Sequence, residues 1–177
     1  MIYLDNAATT KVSEEVFAAI KPFFCEQYAN PSAIYRFAGK SMKAVDEARH
    51  QTADLIGADA KEIYFTAGGS EADNWAIKAV AEAYQNKGKH IITSVIEHHA
   101  VLHTCQYLEK QGFEVTYIQV DEYGRVKLDE LEQAIRPDTI LISIMAANNE
   151  IGTIQPIQEI GALARKHEIL FHTDAVQ

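Results

Sequence analysis

The chain has 177 residues, enough for one domain with a real core, and its 47% hydrophobic content is that of a globular protein. Its 25 acidic residues outnumber 16 basic ones, for a formal charge of −9; this speaks against nucleic acid as a general partner, because phosphate backbones are held by Lys and Arg. No run approaches the roughly 20 apolar residues of a membrane span, and Met1-Ile2-Tyr3-Leu4-Asp5 lacks the basic-then-apolar pattern of a secretory signal.

In chain order, Ile2-Tyr3-Leu4 reads as a short extended segment before a polar turn at Asp5-Asn6. Ser13 can cap a helix whose first turn holds Glu14 and Glu15 and whose apolar positions are Val16, Ile20 and Phe23 or Phe24. Asn30-Pro31-Ser32 breaks that pattern. A second helix is predicted from near Gly39 to Leu55, with Met42, Val45 and Ala48 on one face and Gly57 after its end. Strands are then predicted at Ile63–Phe65, His90–Ser94, Glu114–Ile118, Ile140–Ile144 and Leu170–His172. Between them fall helices from Glu71 to Tyr84 (ended by Gly88), Ala100 to Lys110 (ended by Gly112), Leu128 to Ile135 and Ile157 to His167.

Alternating strands and helices predict an α/β fold with a largely parallel sheet and helices on both faces, three layers in all. The nearly unbroken apolar run at Ile140–Met145 fits a strand covered on both sides. The first helices, residues 1–58, form a segment before the alternating region, residues 59–177.

In open α/β sheets ligands bind beyond the carboxyl ends of the strands. Four post-strand loops carry polar groups to that rim: Gly68-Gly69-Ser70, Glu97-His98-His99, Asn148-Asn149-Glu150, and Asp174 with Gln177. At Gly68-Gly69-Ser70-Glu71 two glycines let the backbone approach a ligand. The following helix start offers free N–H groups and the positive dipole end to an anion, and Ser70 adds a hydroxyl. The same residues also read as a tight turn with Ser70 as cap. They form neither a P-loop nor a dinucleotide fingerprint.

His98 can stack on a planar cofactor, or enter its helix bonded to backbone. His99 and His103 are spaced for one helix face and a shared metal, but no Glu follows His99 and no Cys cluster accompanies them. Asn148 and Asn149 can bind a ligand or tie a turn. Asp174, between Phe171 and Val176, is costly unless paired; a protonated pyridine nitrogen would pair it, and so would a cap or a salt bridge. Cys25 and Cys105 match no metal or redox spacing and read as two free thiols.

Several stretches resemble the cysteine desulfurases of the iron–sulfur assembly and nitrogen-fixation type, class V aminotransferase-like enzymes of pyridoxal-phosphate fold type I. They are Tyr3-Leu4-Asp5-Asn6-Ala7-Ala8-Thr9-Thr10, Phe65-Thr66-Ala67-Gly68-Gly69-Ser70-Glu71-Ala72-Asp73-Asn74, Glu97-His98, Asn148-Asn149-Glu150-Ile151-Gly152 and His172-Thr173-Asp174-Ala175-Val176-Gln177. The resemblance runs from Ile2 to Gln177 and corresponds to the N-terminal half of a family member. It implies the large domain of fold type I, truncated, with the C-terminal half absent.

By position, the resemblance assigns Gly69 and Ser70 to the cofactor phosphate, His98 to stacking on the pyridine ring, Asn149 and Gln177 to its phenolic oxygen, and Asp174 to its ring nitrogen. It further implies sulfur transfer from L-cysteine to an enzyme persulfide, with alanine released, a sulfur-acceptor or scaffold protein as partner, a homodimer in the complete enzyme, and a cytoplasmic setting. The family's Schiff-base lysine, persulfide-forming cysteine and substrate-carboxylate arginine are expected beyond Gln177. Residues 1–177 alone are therefore expected to show no turnover and weak or absent retention of pyridoxal 5′-phosphate. Selenocysteine lyases and other class V aminotransferases share this half, and a non-catalytic interaction module is the alternative of another kind. Asn30-Pro31-Ser32-Ala33-Ile34-Tyr35-Arg36 departs from the family by lacking its His, which touches a local substrate-side contact.

Overall fold

A computed structural model describes residues 2–177. The chain divides into two compact units, Met1–Phe65 and Thr66–Gln177.

The first unit is helical. Helix α1 (Glu14–Ile20) starts where Ser13 Oγ accepts the Val16 N–H at 3.3 Å, and α2 (Pro22–Cys25) follows with Pro22 at its first position. Helix α3 (Gly39–Ile56) ends at Gly57, whose φ of +70° is the left-handed stop the sequence predicts. Its Ser41 hydroxyl donates to the Gln27 carbonyl at 2.7 Å, and the Arg49 guanidinium lies over the Phe65 ring at 5.0 Å. The expected strand at Ile63–Phe65 is not in the sheet. Ile63 is extended, but a turn of 3₁₀ helix at Ala60–Glu62 leads into it, and among the described residues the four strands pair only with one another. Apolar β-branched and aromatic residues favour extended backbone; a strand also needs a ladder.

The second unit is a four-stranded parallel sheet in the order β2–β1–β3–β4. The strands are β1 (His90–Ser94), β2 (Glu114–Ile118), β3 (Thr139–Ser143) and β4 (Leu170–His172). Helices α4 (Gly69–Tyr84), α5 (His99–Glu109), α6 (Leu128–Ala134) and α7 (Ile157–Lys166) alternate with them. The central strands β1 and β3 are buried at every residue, which explains the apolar run Ile140–Ile142 at the middle of β3.

Two apolar clusters, one on each face, make the three layers. Ile77 and Ala81 of α4, and Val101, Cys105 and Leu108 of α5, pack on Ile91 and Leu141. Leu131 of α6, and Ile160 and Ala164 of α7, pack with Ile92 and Ile142. The pairing skips Ile140: His90 faces Thr139, whereas Ile91 faces Leu141. This irregularity puts consecutive residues Ile140 and Leu141 into the same cluster, which strict alternation would forbid.

Gly88, predicted as a helix stop, has a different reason to be glycine. A Cβ there would lie 2.1 Å from the Asp138 carbonyl oxygen, so only glycine admits the approach of the two chains before β1 and β3. The floor of the sheet is polar nearby. The buried His90 ring places Nδ1 2.7 Å from Thr139 Oγ1 and Nε2 2.8 Å from Thr116 Oγ1. Burial holds the His90 imidazole below its usual pKa, with the Arg136 charge acting in the same direction.

From β1 the chain moves outward to β2, then crosses to β3 on the other side. The order reverses between β1 and β3, and the loops after those two strands flank the crevice where such sheets bind ligands.

Candidate functional site

The loops after β1, β3 and β4 meet the glycine turn before α4 at one rim. Gly69 opens α4, and a Cβ on it would lie 2.7 Å from Val176 Cγ2, so the glycine turn and the chain after β4 are packed against each other. Asp174 Oδ1 accepts the Val176 N–H at 3.0 Å, and its carbonyl accepts the Ala146 N–H at 2.7 Å. Asp174 is thus tied to the glycine turn through Val176 and to the loop after β3 through Ala146. The Gly69 and Ser70 amides have no backbone acceptor, as expected of a first helical turn. The Ser70 hydroxyl is exposed and makes no hydrogen bond among the described residues. Ala67 N–H is taken by Glu71 Oε2 at 2.6 Å, which closes the turn from behind.

His98 is the N-cap of α5, its Nδ1 accepting the Ala100 N–H at 3.1 Å. The helix-entry reading of His98 is the one seen: the ring is tied to backbone through one nitrogen and is otherwise exposed. Ser70 and His98 line one cavity of about 440 Å³ with Asn74, Lys78, His103 and Tyr107. Its lining contains Lys and His but no carboxylate, a local anion-compatible patch in a chain of net charge −9. Thr104 also lines it, and its buried hydroxyl has no hydrogen-bond partner among the described residues. The His99 and His103 rings are 5.1 Å apart; no group of three or more metal-ligating side chains forms among the described residues.

The two asparagines separate in role. Asn148 is buried and ties its turn: Nδ2 donates to the Ile96 carbonyl at 2.9 Å, and Oδ1 accepts from Glu150 N–H at 2.9 Å and Ile151 N–H at 3.0 Å. Asn149, beside it, is half-buried with an uncommitted amide among the described residues. Gln177 is exposed, and no hydrogen bond fixes its amide among the described residues.

Beneath this rim lies a polar layer that the sequence motifs alone do not reveal. Asp73 of α4 is buried, with Oδ1 3.4 Å from His172 Nε2, while His172 Nδ1 is 2.8 Å from Ser143 Oγ. Glu97 is also buried. Its Oε1 accepts the Ser94 hydroxyl at 2.6 Å, and the Met145 N–H reaches Oε1 at 3.1 Å and Oε2 at 3.0 Å. Burial pushes the Glu97 carboxyl up to about 7, against the pull of those two donors; the Asp174 charge raises it further and His172 lowers it. One signal was available: His172 and Asp174 are two apart at the end of a strand, hence on one face.

The glycine turn, helix-capping His, half-buried Asn and strand-end Asp around one rim fit a flat ring bearing an anionic group. Comparison with known proteins bears on which ring. The family profile described as Aminotransferase class-V matches residues 2–177. The chain belongs to that family. It is 62% identical over 176 residues to a cysteine desulfurase IscS of Methanosarcina thermophila, covering 99% of this chain and 44% of that protein. A solved structure named as a NifS-like protein superposes with a TM-score of 0.96 at 43% identity, over 99% of this chain and 49% of the other. A second, SspA in complex with cysteine, gives a TM-score of 0.95 at 47% identity, over 99% and 50%. The class V chain thus spans about half the length of the relatives it matches. Among the described residues no helix is long and apolar enough to cross a membrane.

Proposed function

We propose that this chain is the cofactor-binding N-terminal part of a pyridoxal 5′-phosphate-dependent cysteine desulfurase. The packing of Gly69 on Val176, which brings Ser70 and Asp174 to one rim, is the observation that carries the reading. The 62% identity to a cysteine desulfurase IscS supports the substrate class.

The residues divide the work by chemistry. Gly69 and Ser70 would hold the phosphate with first-turn amides and a hydroxyl, where the helix end favours negative charge. His98, immobilised through Nδ1, would lie against one face of the ring. Asn149 and Gln177 would donate to the phenolic oxygen. Asp174 would hold a proton on the ring nitrogen. When bound, the ring supplies an electron sink for the deprotonated Cα of an amino acid. L-Cysteine is the proposed substrate, and a sulfur-acceptor protein serving iron–sulfur cluster assembly the proposed partner, with a homodimer as the complete cytoplasmic enzyme.

Two measurements test the reading. Titration with pyridoxal 5′-phosphate, followed by its absorbance and by quenching of Trp75, is expected to show weak but saturable binding that Asp174→Asn weakens at least tenfold. Binding that never saturates, or that the substitution leaves unchanged, would overturn the site. For the substrate, residues 2–177 are exchanged into a full-length cysteine desulfurase in place of its own N-terminal part. Alanine formation from L-cysteine is expected; a folded chimera that makes none sinks the activity.

A further inference from the structure

Glu97 stands at the reversal of strand order, where the crevice between β1 and β3 opens. It takes a hydrogen bond from each side of that crevice: from Ser94 at the end of β1 and from the Met145 N–H just beyond β3. The next residue is His98, so whatever holds Glu97 also holds the residue assigned to the ring face. We propose that Glu97 is a positioning residue of this site: its carboxyl pins the His98 turn across the crevice and sets the negative charge presented beside Asp174. This rests on the function proposed above.

The surroundings define what that charge can do. Asp174 and His172 face Glu97 from β4 and the residues after it, Cys105 faces it from α5, and Asp73 of α4 lies 3.4 Å from His172. Among the described residues no Lys or Arg acts on it and His172 is the one charged group that favours its ionisation, which adds a second negative charge to the one on Asp174. A cation brought to Asp174, such as a protonated pyridine nitrogen, relieves that repulsion. Ionisation of Glu97 and binding of the cation therefore favour each other, and linkage makes the effect reciprocal. Below neutral pH Glu97 keeps its proton and contributes geometry alone; above it, it contributes geometry and charge.

The test uses the 177-residue chain and pyridoxamine 5′-phosphate, which needs no covalent bond to the protein. Affinity is measured at pH 6 and pH 8 for the wild type, Glu97→Gln and Ser94→Ala. Ratios between proteins cancel the probe's own titration. The wild-type to Glu97→Gln affinity ratio is expected to rise at least threefold from pH 6 to pH 8. Ser94→Ala, which removes a donor to the ionised carboxylate, is expected to move that rise to higher pH. A ratio that is the same at both pH values overturns the proposal while leaving the cofactor reading intact. Absence of binding by the wild type sinks the cofactor reading instead. Coupling between the two carboxyls is then read directly from the ¹³C shift of the Asp174 carboxyl. A step near neutral pH in the wild type, absent in Glu97→Gln, supports the proposal; no step in the wild type overturns it.

Discussion

Val176 Cγ2 occupies the space over Gly69 where a side chain would begin, 2.7 Å from the position of an added Cβ. The contact joins the first and last loops of the rim, so a methyl group there must push the two apart. Gly69→Ala is expected to cost about 2 kcal/mol of stability, typical of overpacking a tight contact, and to weaken binding of pyridoxamine 5′-phosphate at least tenfold. Val176→Ala in the same chain is expected to restore part of both. Thermal unfolding and titration of the single and double variants check it; an unrescued double variant would separate the contact from the binding loss.

Ser70 offers the opposite case. Its hydroxyl is exposed and spends no hydrogen bond on the fold among the described residues. Ser70→Ala is therefore expected to leave the melting temperature within about 1 °C, in line with a surface change that removes no contact. Its expected effect on phosphate-bearing ligands is a loss of about 2 kcal/mol, the worth of a hydrogen bond to a charged group. Parallel calorimetric melting and ligand titration distinguish this from the Gly69 result, where both fall together.

Two buried groups make stability depend on pH in opposite directions. Glu97 has its folded value raised from 4.5 to about 7. Its contribution is fully present below about 4.5 and is lost as pH rises through 7, a difference of about 3 kcal/mol. His90 has its folded value lowered below 6.5. Its contribution is present above 6.5 and is lost as pH falls through the folded value. Glu97→Gln removes the first dependence and exposes the second. The wild type is expected to melt lower at pH 8 than at pH 5 relative to Glu97→Gln, by roughly 6–12 °C for a chain of this size. A melting profile identical in the two proteins would remove Glu97 from the titrating groups.

Gly88 is a purely structural test of the sheet floor. The Asp138 carbonyl oxygen stands 2.1 Å from where a Cβ would be, and it is backbone, which cannot swing aside as a side-chain tip can. Gly88→Ala is expected to destabilise the chain by about 3 kcal/mol, at the upper end of overpacking costs. Chemical denaturation measures it, and a loss below 1 kcal/mol would show that the two segments separate cheaply.

Much of this architecture is legible in the residues themselves. β1, β2 and β4 fall where alternation of elements places them, and β3 within a residue of its predicted bounds, because buried parallel strands are dense in β-branched residues. Gly57 and the Ser13 cap act as local chemistry requires. The loops after β1, β3 and β4 follow from one rule about strand ends; the glycine turn does not, because no strand of the sheet precedes it. Pairing between distant segments is what the sequence hides. Nothing local says that Ile63–Phe65 stays outside the sheet, that β3 skips a register at Ile140, or that Gly88 is glycine because of Asp138. Glu97 shows the same limit. Its role comes from Ser94 and Met145 together, and only the fold brings Met145 to it.

The two thiols differ in their access to solvent. Cys25 is exposed, whereas Cys105 is sealed between α5 and the sheet, where burial first and the Glu97 charge second push its thiol up to about 12. A neutral-pH alkylating dye therefore decorates the native molecule once, on the helical unit. The second adduct arrives only when the sheet region opens, so the delay between the two modifications is a built-in clock for how often its interior breathes.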